Sequence, residues 1–503
     1  MKRRIVLWVI VALGAGSALA DENEWFRPLG LPPKAAPKHI SGGESFPPLP
    51  LPATPLRRSE RKRQPSPPML AGKVMWGESA LFTYENGMST KVSDWNLCPA
   101  DLSQLLAKAG RWFNIQYGSE PVTLGSFHGD PEKMPVLLFS GGRSIKMDQS
   151  QREQLRAYVL KGGMLMFDSV AGSPYFYDSS KRLLADAFPD ASLREIPPDH
   201  PLYHMLFDVD KVSYPRHPER TAPLLEGVYV GCRVGALVSR YGLGCGWDDH
   251  DVPLIEKAVY YDAESANKIG LNVVAYAVGY ADVGREEAKP ELFGTVDEKA
   301  PTDDFVFAQI QHEGAWNVHP GGAAALLRRL RQDTSLRVNL KRVTVTPGKD
   351  DLSAFHFLYL EGLDDFRLDD KAVAALKAFL GNAGTLLINN GLGLRTFDAT
   401  VRRELKKVLP DAALAPLPAD DPVYSSVFKI TEARYTPAVA REKPDLKTPA
   451  LEGIRINGDL RVIYSPFDLE AGWAGCEHPL ARAYESDSAM PLGVNIVMYA
   501  MTH

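Results

Sequence analysis

Three short stretches hold side chains able to do chemistry, and each occurs twice. The first is Trp95-Asn96-Leu97-Cys98-Pro99, matched by Trp316-Asn317-Val318-His319-Pro320. An indole and a carboxamide beside a helix that starts on proline can hold a polar ligand by stacking and hydrogen bonding. The same pair can instead close a sheet edge and cap a turn. The second is Asp168-Ser169-Val170-Ala171-Gly172, matched by Asn389-Asn390-Gly391-Leu392-Gly393. A serine just after a strand is where a hydrolase places its nucleophile, but that turn wants Gly-x-Ser-x-Gly. Here Asp168 precedes Ser169 and the trailing glycine comes one place late. The second copy offers no nucleophile, so a covalent mechanism would be confined to the first. Asp168 is the alternative there, as a ligand or metal contact.

The third stretch runs from Ser239 through Gly246-Trp247-Asp248-Asp249-His250, against Ser465 through Gly472-Trp473-Ala474-Gly475-Cys476-Glu477-His478. Asp248, Asp249 and His250 have the donor types for a divalent ion. Their spacing is not repeated in the second copy, so a solvated acidic loop is the expectation and no metal is assigned. His200 and His204 stand four apart, the spacing of one helical face. Pro201 opposes a helix there, which favours surface or packing histidines. Gly141-Gly142-Arg143-Ser144 reads as a turn. With no phosphate loop or dinucleotide fingerprint, no cofactor is expected.

The elements that would position these loops also repeat. Trp95-Asn96 recurs at an offset of 221, and so does Phe188-Pro189-Asp190-Ala191 as Leu409-Pro410-Asp411-Ala412. Val136–Phe139 and Met164–Phe167 read as buried strands. Between them Asp148 caps a helix, with Gln151 at capping-box spacing, and Gly162-Gly163 ends it. In the second copy Phe357–Leu360 and Leu386–Ile388 flank a helix capped near Asp369 or Asp370. Leu237–Tyr241 and Val462–Tyr464 read as later strands. Closing helices follow over Asn272–Tyr280 and Asn495–Tyr499. Fully apolar strands separated by helices imply parallel strands covered on both faces. The fold class is therefore α/β, two tandem three-layer modules related by duplication. Ligands in such sheets bind beyond the carboxyl ends of the strands, where the three loops lie.

At 503 residues the chain is long enough for two cores plus tails. The net charge of −5 argues against nucleic acid as a partner. Residues 1–20 read as a signal peptide: Lys2-Arg3-Arg4, an apolar run, then Ala18-Leu19-Ala20. Residues 21–72 carry twelve of the 39 prolines and read as an extended tether. The modules then span 73–282 and 303–503, with a linker over 283–302. No later stretch is apolar for long enough to span a bilayer. A periplasmic or secreted protein is the expectation, after cleavage near Ala20. Export permits disulfides. Cys232 and Cys245 bracket an expected hairpin and form the candidate pair, whereas Cys98 and Cys476 fall in different modules.

The two copies resemble the bacterial domain-of-unknown-function 4159 family over essentially all of 73–503. In the second copy the resemblance rests on Phe305-Val306-Phe307-Ala308, Trp316, Gly362, Pro422-Val423-Tyr424 and the ending Pro491–His503. In the first it rests on Trp95-Asn96, Gly162–Asp168, His200-Pro201 and Gly270-Leu271-Asn272. The resemblance implies an exported protein with a flavodoxin-like fold, similar to class I glutamine-amidotransferase-like domains. It carries over no catalytic residues. Amidotransferase-like domains use a cysteine after the strand, where this chain has Ser169 or Asn390.

Two functions follow as expectations. The first is a non-catalytic envelope protein that binds a partner protein or glycan through Trp95, Asn96, Trp316 and Asn317, with Trp247 and Trp473 behind them. The second is an exported hydrolase acting on envelope glycans or amides. Its first copy would be active through Asp168, Ser169 and His250, with Asp249 beside them, and its second copy degenerate.

Overall fold

The computed structural model describes residues 22–29, 67–249, 255–287, 304–476 and 478–503. The expected signal peptide, most of the expected tether and His250 lie outside them. In the first half the strands are β1 (Met69–Val74), β2 (Ser79–Thr83), β3 (Ser89–Ser93), β4 (Gly118–Val122), β5 (Val136–Gly141), β6 (Met164–Ser169), β7 (Arg194–Glu195), β8 (Leu225–Val230) and β9 (Arg233–Ser239). In the second half they are β10 (Ala308–Ile310), β11 (Val343–Val345), β12 (Phe357–Gly362), β13 (Thr385–Asn390), β14 (Ala415–Pro416), β15 (Glu452–Ile456) and β16 (Asp459–Ser465).

One sheet is ordered β4-β1-β5-β6-β9-β8-β7 and the other β11-β10-β12-β13-β16-β15-β14. The first five strands of each are parallel and, numbered along the chain, run 2-1-3-4-5. That is the flavodoxin-like order, with its crevice where the strand order reverses, between β1 and β5 or β10 and β12. The expectation of parallel strands needs a correction at one edge. β8 and β15 join antiparallel, because each returns to its neighbour through a two-residue turn, Gly231-Cys232 or Asn457-Gly458. β7 and β14 extend the edge antiparallel.

The central strands read as apolar throughout because helices cover both faces. All six residues of β5 and of β6 are buried. Alternate residues then part to opposite sides: Leu137, Phe139, Leu165 and Phe167 pack into one cluster, Leu138, Met164 and Met166 into another. Asp148 does form a capping box, accepting from Gln151 N at 2.8 Å while Gln151 Oε1 accepts from Asp148 N at 3.0 Å. Asp369 caps its helix through Ala372 N at 2.7 Å. The closing helices are longer than expected, Ala263–Gly279 and Ser486–Thr502.

Two boundaries differ from the sequence reading. β1 begins at Met69, and helix Ala281–Glu287 runs on past 282. Residues 22–29 are also not extended tether. Trp25 and Leu29 are buried, and Arg143 lies 4.0 Å over the Phe26 ring. This segment covers the loop after β5.

The modules stack head to tail. β7, the β8–β9 turn and the end of helix Ala263–Gly279 sit on the strand-end loops of the second module. Arg194 pairs with Asp364, and its Nη1 donates to Glu313 O at 3.1 Å. Asp199 Oδ1 accepts from Thr396 Oγ1 at 2.7 Å, and Tyr280 OH donates to Pro479 O at 2.5 Å. One apolar cluster runs from Ile196, Leu202 and Tyr229 into Ile310, Leu363 and Phe366.

Candidate functional site

At the strand ends of the second module, five polar side chains share one fully buried space. His319 follows β10, Glu361 ends β12, Asn389 ends β13, and Asp468 and Glu470 follow β16. Each is 0 % exposed, a state that charged groups reach only when paired. Asp468 Oδ2 binds His319 Nε2 at 2.6 Å and accepts from Leu392 N at 2.7 Å. Its Oδ1 accepts from Asn389 Nδ2 at 2.9 Å and Ala471 N at 3.1 Å. Glu361 accepts from Asn389 Nδ2 at 3.0 Å and Val318 N at 3.1 Å. Glu470 accepts from Ala323 N at 2.8 Å and from Tyr359 OH at 2.7 Å, with Arg342 3.7 Å away.

The carboxyls divide in behaviour. Burial raises Glu361 well above the carboxylate range, and the neighbouring Glu470 adds to it. Burial also pushes Asp468 up, but the charge and hydrogen bond of His319, with Asn389 and Ala471, outweigh it and bring Asp468 down to about 2. Burial raises Glu470 as well, so Asp468 is the carboxyl of the three held lowest.

The first module fills the same place differently. Lys73 Nζ bonds Asp101 Oδ2 at 2.7 Å and Cys98 O at 2.7 Å. Asp168 accepts from Leu243 N at 2.8 Å and Gly244 N at 2.9 Å, and burial lifts it to about 6. Position by position along the duplication, Cys98 corresponds to His319, Asp168 to Asn389, Ser140 to Glu361, and Gly242 to Asp468. One exchange is reciprocal. Asp101 and Gly244 in the first copy stand where the second has Gly322 and Glu470. A Cβ on Gly244 would lie 2.8 Å from Asp168 Oδ2 and 3.4 Å from Asp101 Oδ2, and one on Gly322 would run into Glu470 Cγ. Each copy thus admits one carboxylate here, from either side.

The sequence candidates separate by burial. Trp247 and Trp473 are core residues at 0 % and 2 % exposure, and their indole N–H groups donate to Ala266 O and Ala489 O at 2.7 and 3.0 Å. A ligand cannot reach them, which corrects their reading as binding residues. Trp95, Asn96, Trp316 and Asn317 stay half-buried. Asn317 Oδ1 accepts from Arg342 Nη2 at 2.7 Å. Asp248 and Asp249 do not converge. Asp248 accepts from Ala100 N at 3.3 Å, while Asp249 turns outward to Lys108 at 3.9 Å. His200 is an N-cap, its Nδ1 accepting from Leu202 N at 3.2 Å, and burial lowers it to about 3. Asp421 does the same for Val423 N at 3.1 Å. His204 turns to Asp208 at 2.9 Å, so the two imidazoles form no metal pair.

Ser169 Oγ is buried and has no hydrogen-bond partner among the described residues. The strained residue of its turn is Ala171, at φ 55°, and in the second copy Leu392, at φ 54°. A nucleophile elbow holds its serine at the sharp, strained point, and here both copies place an apolar side chain there. The cysteine pairing is also different. Cys245 Sγ lies 3.9 Å from Cys98 Sγ, and Cys232 Sγ lies 3.2 Å from His478 Nδ1, so Cys232 and Cys245 are not partners. No disulfide joins the cysteines.

Between the modules, beside the loop after β10, lies an open cleft of about 710 Å³. Arg156, Phe188, Arg194 and Tyr229 line it from the first module, and His312, Glu313, Trp316 and Asn317 from the second. Desolvation lowers His312 to about 4, and its ring stacks on Phe366 at 4.4 Å. Trp316 and Asn317, singled out in the sequence, line this cleft. Sequence reasoning missed Glu361, Asp468 and Glu470, whose signal was a carboxylate within or just after an otherwise apolar strand.

A family model described as a domain of unknown function (DUF4159) matches residues 86–278 and again residues 306–501. Among curated proteins none matches the chain.

Proposed function

The chain belongs to the DUF4159 family in both halves, and from that premise we propose a non-catalytic binding protein of the cell envelope, seated in the intermodular cleft. Trp316 is the anchor. The observation that carries this reading is its place: an incompletely buried indole, with Asn317 beside it, in a cleft of ligand size lined by the loop after β10. Indole faces stack on sugar rings and on flat peptide groups. Arg156, Arg194 and Glu313 supply polar contacts of both signs around it. The ligand class is an envelope glycan or the peptide attached to it, met after export and cleavage near Ala20.

The hydrolase reading has weaker support. Ser169 is inaccessible, and both Asp168 oxygens already accept backbone N–H groups. The denser set of titratable groups belongs to the copy read as degenerate, and it is sealed by hydrogen bonds.

The test is calorimetric titration of the exported protein with soluble peptidoglycan fragments. Trp316→Ala is expected to weaken binding at least tenfold, and Trp95→Ala, outside the cleft, to leave it unchanged. Equal affinity in wild type and Trp316→Ala would sink the reading. Cleavage of the fragments during the titration would replace it with catalysis.

A further inference from the structure

We propose that Cys232, His319 and His478 bind one borderline transition-metal ion, with Zn²⁺ the best fit, and that this ion joins the two modules. The inference does not depend on the cleft reading.

The three donors come from three separate segments. Cys232 is the second residue of the β8–β9 turn, His319 follows β10, and His478 follows the short helix Glu470–Ala474 beyond β16. Cys232 and His319 are 0 % exposed and His478 is 7 % exposed. One sulfur and one nitrogen from each ring all lie within 4.8 Å of one another. Cys232 Sγ is 3.2 Å from His478 Nδ1, and the imidazole centroids are 4.6 Å apart. Metal–sulfur and metal–nitrogen lengths of about 2.3 and 2.0–2.1 Å give a tetrahedron with edges of roughly 3.3–3.7 Å. Small side-chain rotations close that gap.

The surroundings suit an ion. Asp468 holds His319 Nε2 at 2.6 Å and is itself fixed by Asn389, Leu392 N and Ala471 N. A carboxylate behind a histidine sets its tautomer and raises its basicity as a ligand. Nδ1 is then the nitrogen that would ligate. A thiolate and the Asp468 carboxylate together balance a dication, and a water at the slightly exposed His478 side would complete the tetrahedron. His319, Glu361 and Asp468 also lie close together. Their oxygens, however, already accept from N–H groups, and the set lacks sulfur.

The duplication supplies an internal control. The hairpin turn of the second copy is Asn457-Gly458, an ordinary two-residue turn, so Gly458 stands where Cys232 does. The position of His319 is occupied by Cys98 in the first copy. Neither donor is required by the fold. Each appears only in the copy whose surface forms the junction. Binding converts the Cys232 thiol to thiolate and releases one proton to solvent, so affinity rises with pH.

The experiment uses the full exported chain, stripped with chelator and titrated with Co²⁺ and then Zn²⁺. One equivalent of Co²⁺ should bind with a thiolate-to-cobalt charge-transfer absorption, which Zn²⁺ then abolishes by displacement. Cys232→Ser should remove the absorption and His478→Gln should weaken binding at least tenfold. Cys245→Ala, remote from the site, should match wild type. Circular dichroism confirms that each variant is folded. Zn²⁺ should raise the melting temperature of wild type and not of Cys232→Ser. No stoichiometric binding by wild type overturns the proposal, and so does an absorption that survives in folded Cys232→Ser.

Discussion

At the strand ends of the first module a lysine, two carboxyls and two thiols share a buried space. At the same place in the second, an imidazole, an amide and three carboxyls do. The backbone beneath them is one design, down to the left-handed residue at Ala171 and Leu392. What differs is which polar groups satisfy the loop amides. Asp168 accepts Leu243 N and Gly244 N directly, whereas Asn389 accepts Leu469 N and turns its Nδ2 to Glu361 and Asp468. The fold fixes how many buried donors must be met, and each copy meets them with its own set. Changes therefore come in groups, as with Asp101 and Gly244 against Gly322 and Glu470.

Breaking the second set should have the largest effect. Asp468→Ala strips His319, Asn389, Leu392 N and Ala471 N of one acceptor, and a loss of about 3–5 kcal/mol is expected for such a buried pair. Urea unfolding measures it. A loss under about 1 kcal/mol would mean that the network is not cooperative. The first copy cannot simply borrow the aspartate, because a Cβ on Gly242 would lie 2.7 Å from Ala171 N.

The next contrast is in pH, and its sign differs between copies. Asp168 is raised by burial to about 6, so between about pH 4 and 6 the folded state holds a proton that the unfolded chain has released. Its contribution is present below about pH 4 and is lost as pH rises through 6. Asp468 is depressed to about 2, so its contribution is present above about pH 4 and lost as pH falls. Asp168→Asn should remove a stability difference on the order of 3 kcal/mol between pH 4 and 7. It should also add a pH-independent loss, because the amide oxygen can meet only one of the two N–H groups well. Unfolding curves at the two pH values separate these effects, and parallel curves for wild type and variant would refute the buried proton.

The smallest expected effect sharpens the exchange itself. Gly322→Asp alone should destabilise through its clash with Glu470, and adding Glu470→Gly should recover part of the loss. A coupling of about 1–3 kcal/mol in the double-mutant cycle is expected, and additive losses would mean that the exchange is accidental.

The sequence by itself determined the duplication, the central parallel strands and the helix caps, because these follow from local rules that repeat: apolar runs, a capping box at Asp148, turn glycines. It also singled out Trp316 and Asn317, which line the intermodular cleft. It misplaced Trp247 and Trp473, since a large aromatic after a glycine reads alike whether it faces solvent or core. Only the tertiary structure decided the antiparallel edge, the head-to-tail stacking and the company each polar residue keeps. Cys232 and His319 belong to different modules and are 87 positions apart. Cys232 and His478 are 246 apart. No periodicity links such residues, because their meeting depends on how one module's hairpin docks on another module's strand ends, and that docking is set by a whole apolar surface rather than by any local run of sequence.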